Sequence, residues 1–238
     1  MDRSELAIII PAWNEERSVG QVVLECCHFG VPILVDDGSR DATAEIAMIN
    51  GAIVLKHAMN KGYDEAINSG FQRASELNFL YVVTFDADGQ HHPELIRVFH
   101  ENLRSGAQLV IGRRERHQRF SEGIYGKITN FLYGFSDPLC GLKGYAMSLY
   151  RDLGHFDSYC SIGTELCLYG ARNGYVSIEI PIVVRERIDN PRFGGGARAN
   201  LKILRSMLIS FLPNTLRIFF YKNGFDKEVN SSTKCNFD

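Results

Sequence analysis

None of the six cysteines of this chain forms a Cys-x-x-Cys pair, and none of its seven histidines completes a zinc-type spacing. A disulfide framework and a structural zinc centre are therefore excluded, and a reducing, cytosolic setting is expected. Also missing are G-x-x-x-x-G-K-[ST] and G-x-G-x-x-G, which removes the backbone phosphate cradles of P-loop and dinucleotide-binding proteins. The apolar run over residues 6–10 is too short for a signal peptide or a membrane span. There is no internal repeat and no low-complexity tract. What remains is ordinary globular composition: 238 residues, 45% hydrophobic and 23% charged, enough for one large domain or one domain with an appendage.

A net charge of −2 conceals an asymmetry. Residues 1–184 hold 16 Lys+Arg against 23 Asp+Glu, residues 185–222 hold 8 against 2, and the tail holds 2 against 3. An acidic body with a basic C-terminal segment predicts an anionic partner, a solvated helix face being the alternative. No nucleic-acid partner is expected.

Short apolar runs recur over residues 6–10, 31–35, 52–55, 80–85 and 107–111, with starts 21 to 28 residues apart. Helical patterns fill the gaps over 18–27, 41–48, 63–76 and 93–103, with Asp41 placed to cap the second and Pro93 in the first turn of the fourth. This alternation predicts an α/β fold with a mostly parallel central sheet flanked by helices. After residue 114 comes the basic stretch GRRERHQRFSEGIYGK. The rhythm then resumes with an apolar run over 144–147, a helix over 164–172 and a strand over 175–184, and no linker separates the halves.

Ligands of open α/β sheets bind beyond the carboxyl ends of the strands. Those ends carry Pro11, Ala12, Trp13, Asn14 and Glu15; Asp36, Asp37, Gly38 and Ser39; Asp86, Ala87, Asp88, Gly89 and Gln90; and Arg113 with Arg114. Two acids spaced D-x-D at a strand end suit a hard cation such as Mg²⁺ or Mn²⁺ that shares phosphate oxygens with a substrate. A plain Asp-rich turn has the same spacing. His91 and His92 add ligands or simply open the next helix.

The ordered blocks IIIPAWNEE, VDDGSRDAT, NKGYDEAINSGF, FDADGQHHPE, DPLCGLKGY and the Glu165 helix followed by GYVSIEIPI resemble the family-2 glycosyltransferases of GT-A fold. Within that family they resemble the dolichyl- and polyprenyl-phosphate sugar synthases most, over about residues 5–200. The resemblance implies that Pro11, Ala12, Asn14, Glu15 and Asp37 line a nucleoside pocket, with Asn60 and Gly62 beside it and Ala87 against the donor. It implies that Asp86 and Asp88, with Gln90, hold a Mg²⁺ or Mn²⁺ ion. Arg113 and Arg192 would contact diphosphate or acceptor phosphate, and Asp137 and Glu165 stand at acceptor-side acid positions. Read alone, Asp137 is equally a turn residue before Pro138, and Glu165 a first-turn helix acid.

The implied activity is metal-dependent, inverting transfer of one sugar from a nucleotide-sugar to a polyprenyl phosphate. Extension of a lipid-linked saccharide at a hydroxyl, or an inactive nucleotide-sugar-binding scaffold, are the alternatives. Thr164 stands where the family often has Asp before the helix Glu, RFGGGAR replaces a Gly-x-Ser-Lys pattern, and the Q-x-x-R-W signature of processive synthases is absent. The expected organisation is a transferase domain over 1–200, with a nucleotide-sugar half at 1–114 and an acceptor half at 115–200. An amphipathic helical segment at 201–222 and a disordered tail at 223–238 follow. Leu201, Leu204, Leu208, Phe211 and Leu212 fall at helical spacing, so this segment lies in an anionic membrane interface, or packs on the body or on a second subunit. Gly194, Gly195 and Gly196 before it are expected to form a lid. The expected location is the cytoplasmic face of a membrane, reached peripherally or through a membrane-protein partner, with homo-oligomers allowed.

Overall fold

The computed structural model of the chain describes residues 3–117, 119–185 and 197–212. Arg192, the three glycines at 194–196 and everything beyond residue 212 lie outside them. The elements in order are β1 (Leu6–Ala12), α1 (Val19–Cys26), β2 (Val31–Asp36), α2 (Thr43–Ile49), β3 (Ile53–Lys56), α3 (Tyr63–Glu76), β4 (Tyr81–Thr84) and α4 (Glu94–Arg104). There follow β5 (Leu109–Arg114), α5 (Phe120–Tyr133), β6 (Lys143–Ala146), α6 (Met147–Leu153), α7 (Glu165–Arg172), β7 (Ser177–Ile182) and α8 (Ala197–Phe211).

The seven strands form one sheet in the order β3-β2-β1-β4-β6-β5-β7. β1 shows why it is central: every residue from Leu6 to Ile10 is fully buried, as a strand covered on both faces requires. The pleat sends Leu6, Ile8 and Ile10 into the core beneath α1, α2 and α4. It sends Ala7 and Ile9 into the opposite core, with Phe71 of α3 and Leu166 and Leu168 of α7. Helix α2 starts at Thr43, and Asp41 holds that start by accepting the Thr43 N–H at 3.1 Å.

Two features position the site. β1 pairs with β2 on one side and β4 on the other, all parallel, so the chain leaves β1 in opposite directions at this point. The crevice at such a switch is where α/β sheets take ligands. β6, by contrast, runs antiparallel to both β4 and β5. The residues that precede β6 therefore share an edge with those that follow β4 and β5. The apolar run at 144–147 is thus an inverted strand that begins one residue earlier, at Lys143.

Candidate active site

A cleft of about 300 Å³ opens at that edge, lined on the β1/β2 side by Pro11, Ala12, Trp13, Glu15, Asp37 and Asn60. The walls of this half are built from hydrogen bonds between successive strand ends. Asn14, at φ +53, donates its N–H to Ser39 Oγ at 2.8 Å and accepts the Arg40 N–H on Oδ1 at 2.8 Å. It clamps the two turns together and does not itself line the cleft. Asp37 accepts from Lys61 N at 2.9 Å and Gly62 N at 2.8 Å, and its Oδ1 lies 2.7 Å from His57 Nδ1. Gly62 thus acts through its backbone at φ +94, where a side chain is strained, while Asn60 reaches the cleft with a buried Oδ1 that has no partner among the described residues.

Asp86, Ala87, Asp88 and Gln90 lie across from this wall. His91 Nε2 is 3.3 Å from Asp86 Oδ2. Burial works to raise the Asp86 carboxyl, but His91, Lys143 and Arg114 outweigh it and the net direction is down from the ordinary 3.8. A Cβ at position 141 would come within 2.3 Å of Asp86 Oδ2, so only glycine leaves room for that carboxylate. Asp88 Oδ1 accepts the Gln90 N–H at 3.0 Å. These are hard oxygen donors of the kind Mg²⁺ and Mn²⁺ take. Among the described residues no group of three or more His, Cys, Asp and Glu is arranged to hold a metal ion. A cation at Asp86 and Asp88 would therefore draw further ligands from water and substrate phosphate.

The third wall is cationic, with Arg114, Arg119 and Lys143. Arg114 clamps Asp137 through Nε to Oδ2 and Nη2 to Oδ1, both at 2.8 Å, and its Nη2 also reaches Glu122 at 3.2 Å. Arg119 donates to the other Glu122 oxygen at 2.9 Å. Burial works to lower the Arg114 guanidinium, yet Asp137 and Glu122 hold it above its ordinary value, so it stays charged. Burial and the Asp86 charge push the Tyr63 phenol in this wall well above its ordinary 10.

Three residues that the resemblance implies for the site do not line the cleft. Arg113 is exposed, with Nε 3.9 Å from Glu179 Oε2, because successive strand residues alternate faces; its neighbour Arg114 reaches the cleft. Asp137 lies 1% exposed beneath the cleft, bound by Arg114, and does not line it. Glu165 is also buried away from the lining: Ser158 donates its N–H to Oε2 at 2.5 Å and its Oγ–H at 2.9 Å, and His155 Nε2 stands 3.2 Å from Oε1. Both acids brace the walls around the cleft through these bonds and do not face into it.

The Glu165 hydrogen bond raises His155 above its ordinary 6.5, against partial burial, while burial pushes the nearby Asp157 carboxyl up to about 6. A raised histidine contributes stability that is full below the unfolded pKa and lost as pH climbs through the folded one. The melting-temperature advantage of the native chain over His155→Ala is expected to be full below the ordinary 6.5 and to shrink as pH climbs above it. An advantage that grows with pH contradicts the pairing.

Helix α8 packs beside α5 and adds to the cleft wall. It turns Ala199, Ile203, Ser206 and Ser210 inward: Ser206 Oγ donates to Ser161 O at 2.6 Å, Tyr125 OH donates to Ser210 Oγ at 3.1 Å, and Ile203 lines the cleft. Of the predicted stripe, Leu201 and Leu208 are 69% and 64% exposed, while Leu204 and Leu212 are half-buried and Phe211 packs on the core. Adjoining α5 exposes Phe120 and Phe131 at 83% and 89%, with Ile124 and Ile128 half-buried on the same face. Among the described residues no helix is long and apolar enough to cross a membrane.

Lys143, Arg114, Arg119 and His91 are site residues that the family pattern did not single out. Arg114 at a strand end, Arg119 in the basic stretch and His91 after the paired acids were each visible in the sequence, whereas Lys143 had no signal beyond its place beside the apolar run at 144–147.

The chain is similar to the dolichyl-phosphate hexose transferase of Haloferax volcanii, 27% identical over 220 residues, covering 86% of this chain and 94% of that one. The polyprenol monophosphomannose synthase of Mycolicibacterium smegmatis is 30% identical over 206 residues, covering 76% and 77%. Glucosyl-3-phosphoglycerate synthase from Mycobacterium tuberculosis, crystallised with Mn²⁺, uridine diphosphate and phosphoglyceric acid, superposes with a TM-score of 0.70 at 20% identity, covering 88% of this chain and 80% of that one. That likeness bears out the GT-A architecture. The sequence model of glycosyl transferase family 2 matches residues 7–162, and with the strand-end blocks gathered around one cleft, the chain belongs to that family of glycosyltransferases.

Proposed function

We propose that this glycosyltransferase moves a single sugar from a nucleotide-diphosphate donor to a polyprenyl or dolichyl phosphate. The observation that carries the reading is the occupation of its acids. Asp137 is consumed by Arg114, Glu165 by Ser158 and His155, and Glu122 by two arginines. A sugar hydroxyl needs a carboxylate to take its proton, whereas a lipid phosphate is already ionised and needs only cations to hold it. The cleft supplies Lys143, whose Nζ meets a carbonyl and, among the described residues, no acid, beside Arg114 and Arg119, which Asp137 and Glu122 hold in place. The names of the Haloferax and Mycolicibacterium relatives point the same way.

In this reading residues 1–114 seat the nucleotide and residues 115–200 the acceptor. Pro11, Ala12, Glu15, Asp37 and Asn60 receive the nucleoside. The acceptor oxygen attacks the anomeric carbon as the bond to the β-phosphate breaks, giving inversion without a covalent enzyme intermediate. A bound Mg²⁺ or Mn²⁺, held by Asp86, Asp88 and Gln90, supplies positive charge against the leaving diphosphate. Arg114 and Arg119 hold the acceptor phosphate. The exposed Phe120, Phe131, Leu201 and Leu208, bordered by exposed Lys127 and Lys202, meet an anionic bilayer beside the cleft mouth.

The test is transfer from UDP- and GDP-hexoses onto polyprenyl phosphate in anionic vesicles, with free nucleotide and glycolipid both measured. Glycolipid should form and vanish on adding EDTA. Donor binding without turnover on the lipid, or transfer only to the hydroxyls of a lipid-linked saccharide, overturns the reading.

A further inference from the structure

Lys143 stands buried in the cleft wall with no carboxylate in ion-pair contact among the described residues. The residue is 3% exposed, and its Nζ donates to the carbonyl of Gly163 at 3.0 Å. Among the described residues no carboxylate oxygen comes within the 4.0 Å of an ion pair. An ammonium carries three N–H donors, and a neutral carbonyl satisfies one of them and none of the charge. Buried cations are costly unless paired; Asp86 feels the Lys143 charge without touching it, so the N–H bonds left over in a ligand-sized cleft call for an anion from solution.

The position is also built with care. Lys143 pairs in register with Thr84, two residues before Asp86. Its N–H donates to Thr84 Oγ1 at 3.2 Å, while Thr84 Oγ1 donates to Gly141 O at 2.6 Å. The carbonyl under the ammonium belongs to a loop held from three sides. Asp64 accepts the Ile162 N–H at 3.2 Å, Asp157 accepts the Ser161 N–H at 2.9 Å, and Ser206 caps Ser161 O. Within it Cys160 and Ile162 adopt φ of +54 and +58, strained for non-glycine residues, and Ile162 lines the cleft. Neither end of the Lys143–Gly163 contact is free to drift.

We infer that Lys143 is a phosphate-binding residue whose two remaining N–H bonds take phosphoryl oxygens of an anion seated in the cleft. The inference rests on the transferase reading above. Two sources bring phosphoryl oxygens there, the donor diphosphate and the acceptor phosphate, and both present the same chemistry to the ammonium.

The decisive measurement is calorimetric binding of inorganic pyrophosphate to the metal-free protein, for the native chain, Lys143→Met and Lys143→Arg. Methionine keeps the stem and removes the charge, so pyrophosphate should bind about tenfold or more weakly, with arginine recovering part of the loss. Melting temperatures without ligand separate a lost Gly163 contact from a lost anion site. UDP and a short-chain polyprenyl phosphate are titrated separately: weakening confined to UDP assigns Lys143 to the donor, and weakening confined to the lipid assigns it to the acceptor. A change under about twofold for all three ligands overturns the inference. Should neither variant fold, native crystals soaked in pyrophosphate decide. A phosphoryl oxygen within about 3.2 Å of Nζ is expected, and none within that reach overturns it. Pyrophosphate affinity needs no turnover, so this inference and the transferase reading can fail separately.

Discussion

Replacing Asp88 by Asn is expected to lower kcat/KM for sugar transfer by about two orders of magnitude or more at saturating Mn²⁺, with the melting temperature nearly unchanged. The substitution is isosteric, and the amide oxygen can still accept the Gln90 N–H that Asp88 Oδ1 takes at 3.0 Å. Only the charge is removed. If Asp88 and Asp86 together hold a divalent cation against the leaving diphosphate, half of the protein's formal negative charge at that corner disappears. The Mn²⁺ concentration for half-maximal rate should rise in parallel. Activity within about tenfold of the native enzyme, or full activity in EDTA, would mean that the leaving group is neutralised without these acids.

Arg114→Leu should destabilise the fold by roughly 3–5 kcal/mol in urea unfolding, because it strands Asp137, 1% exposed, without the two 2.8 Å bonds that compensate its burial. Adding Asp137→Leu should recover most of that loss, since two apolar side chains of similar bulk replace a buried ion pair at little net cost. The double variant is expected to stay inactive, as the cleft would still lack the Arg114 guanidinium. Recovered stability with recovered transfer would show that Arg114 serves only the fold. A double variant as unstable as the single one would show that Glu122, its other partner, was the group left uncompensated.

The first half of the molecule was legible because its chemistry is local to its strands. Each of β1, β2 and β4 ends in a few polar residues, and their parallel pairing places those residues on one edge, as with Asp36 opposite Ala12. The second half was not legible in the same way. Lys143 reaches the cleft only because β6 runs backwards, and strand direction leaves no trace in an apolar run of four residues. Arg113 and Arg114 differ by a single step of the pleat, so a one-residue uncertainty in the strand end exchanges an exposed cation for a buried one. Asp137 and Glu165 were found as acids, but their partners Arg114, Ser158 and His155 set their roles, and contacts of that kind depend on packing that no spacing encodes.

Helix α8 is apolar on two faces: Ala199, Ile203, Met207 and Phe211 pack on the body, while Leu201 and Leu208 stand in water. Hydrogen bonds from Ser206 and to Ser210, directional where greasy contacts are not, add to that setting of the helix. Leaving those leucines wet costs about 1–2 kcal/mol each, a penalty that disappears wherever hydrocarbon replaces water. Ile203, on the opposite face of the same helix, lines the cleft, so one element carries both the wet leucines and part of the site wall.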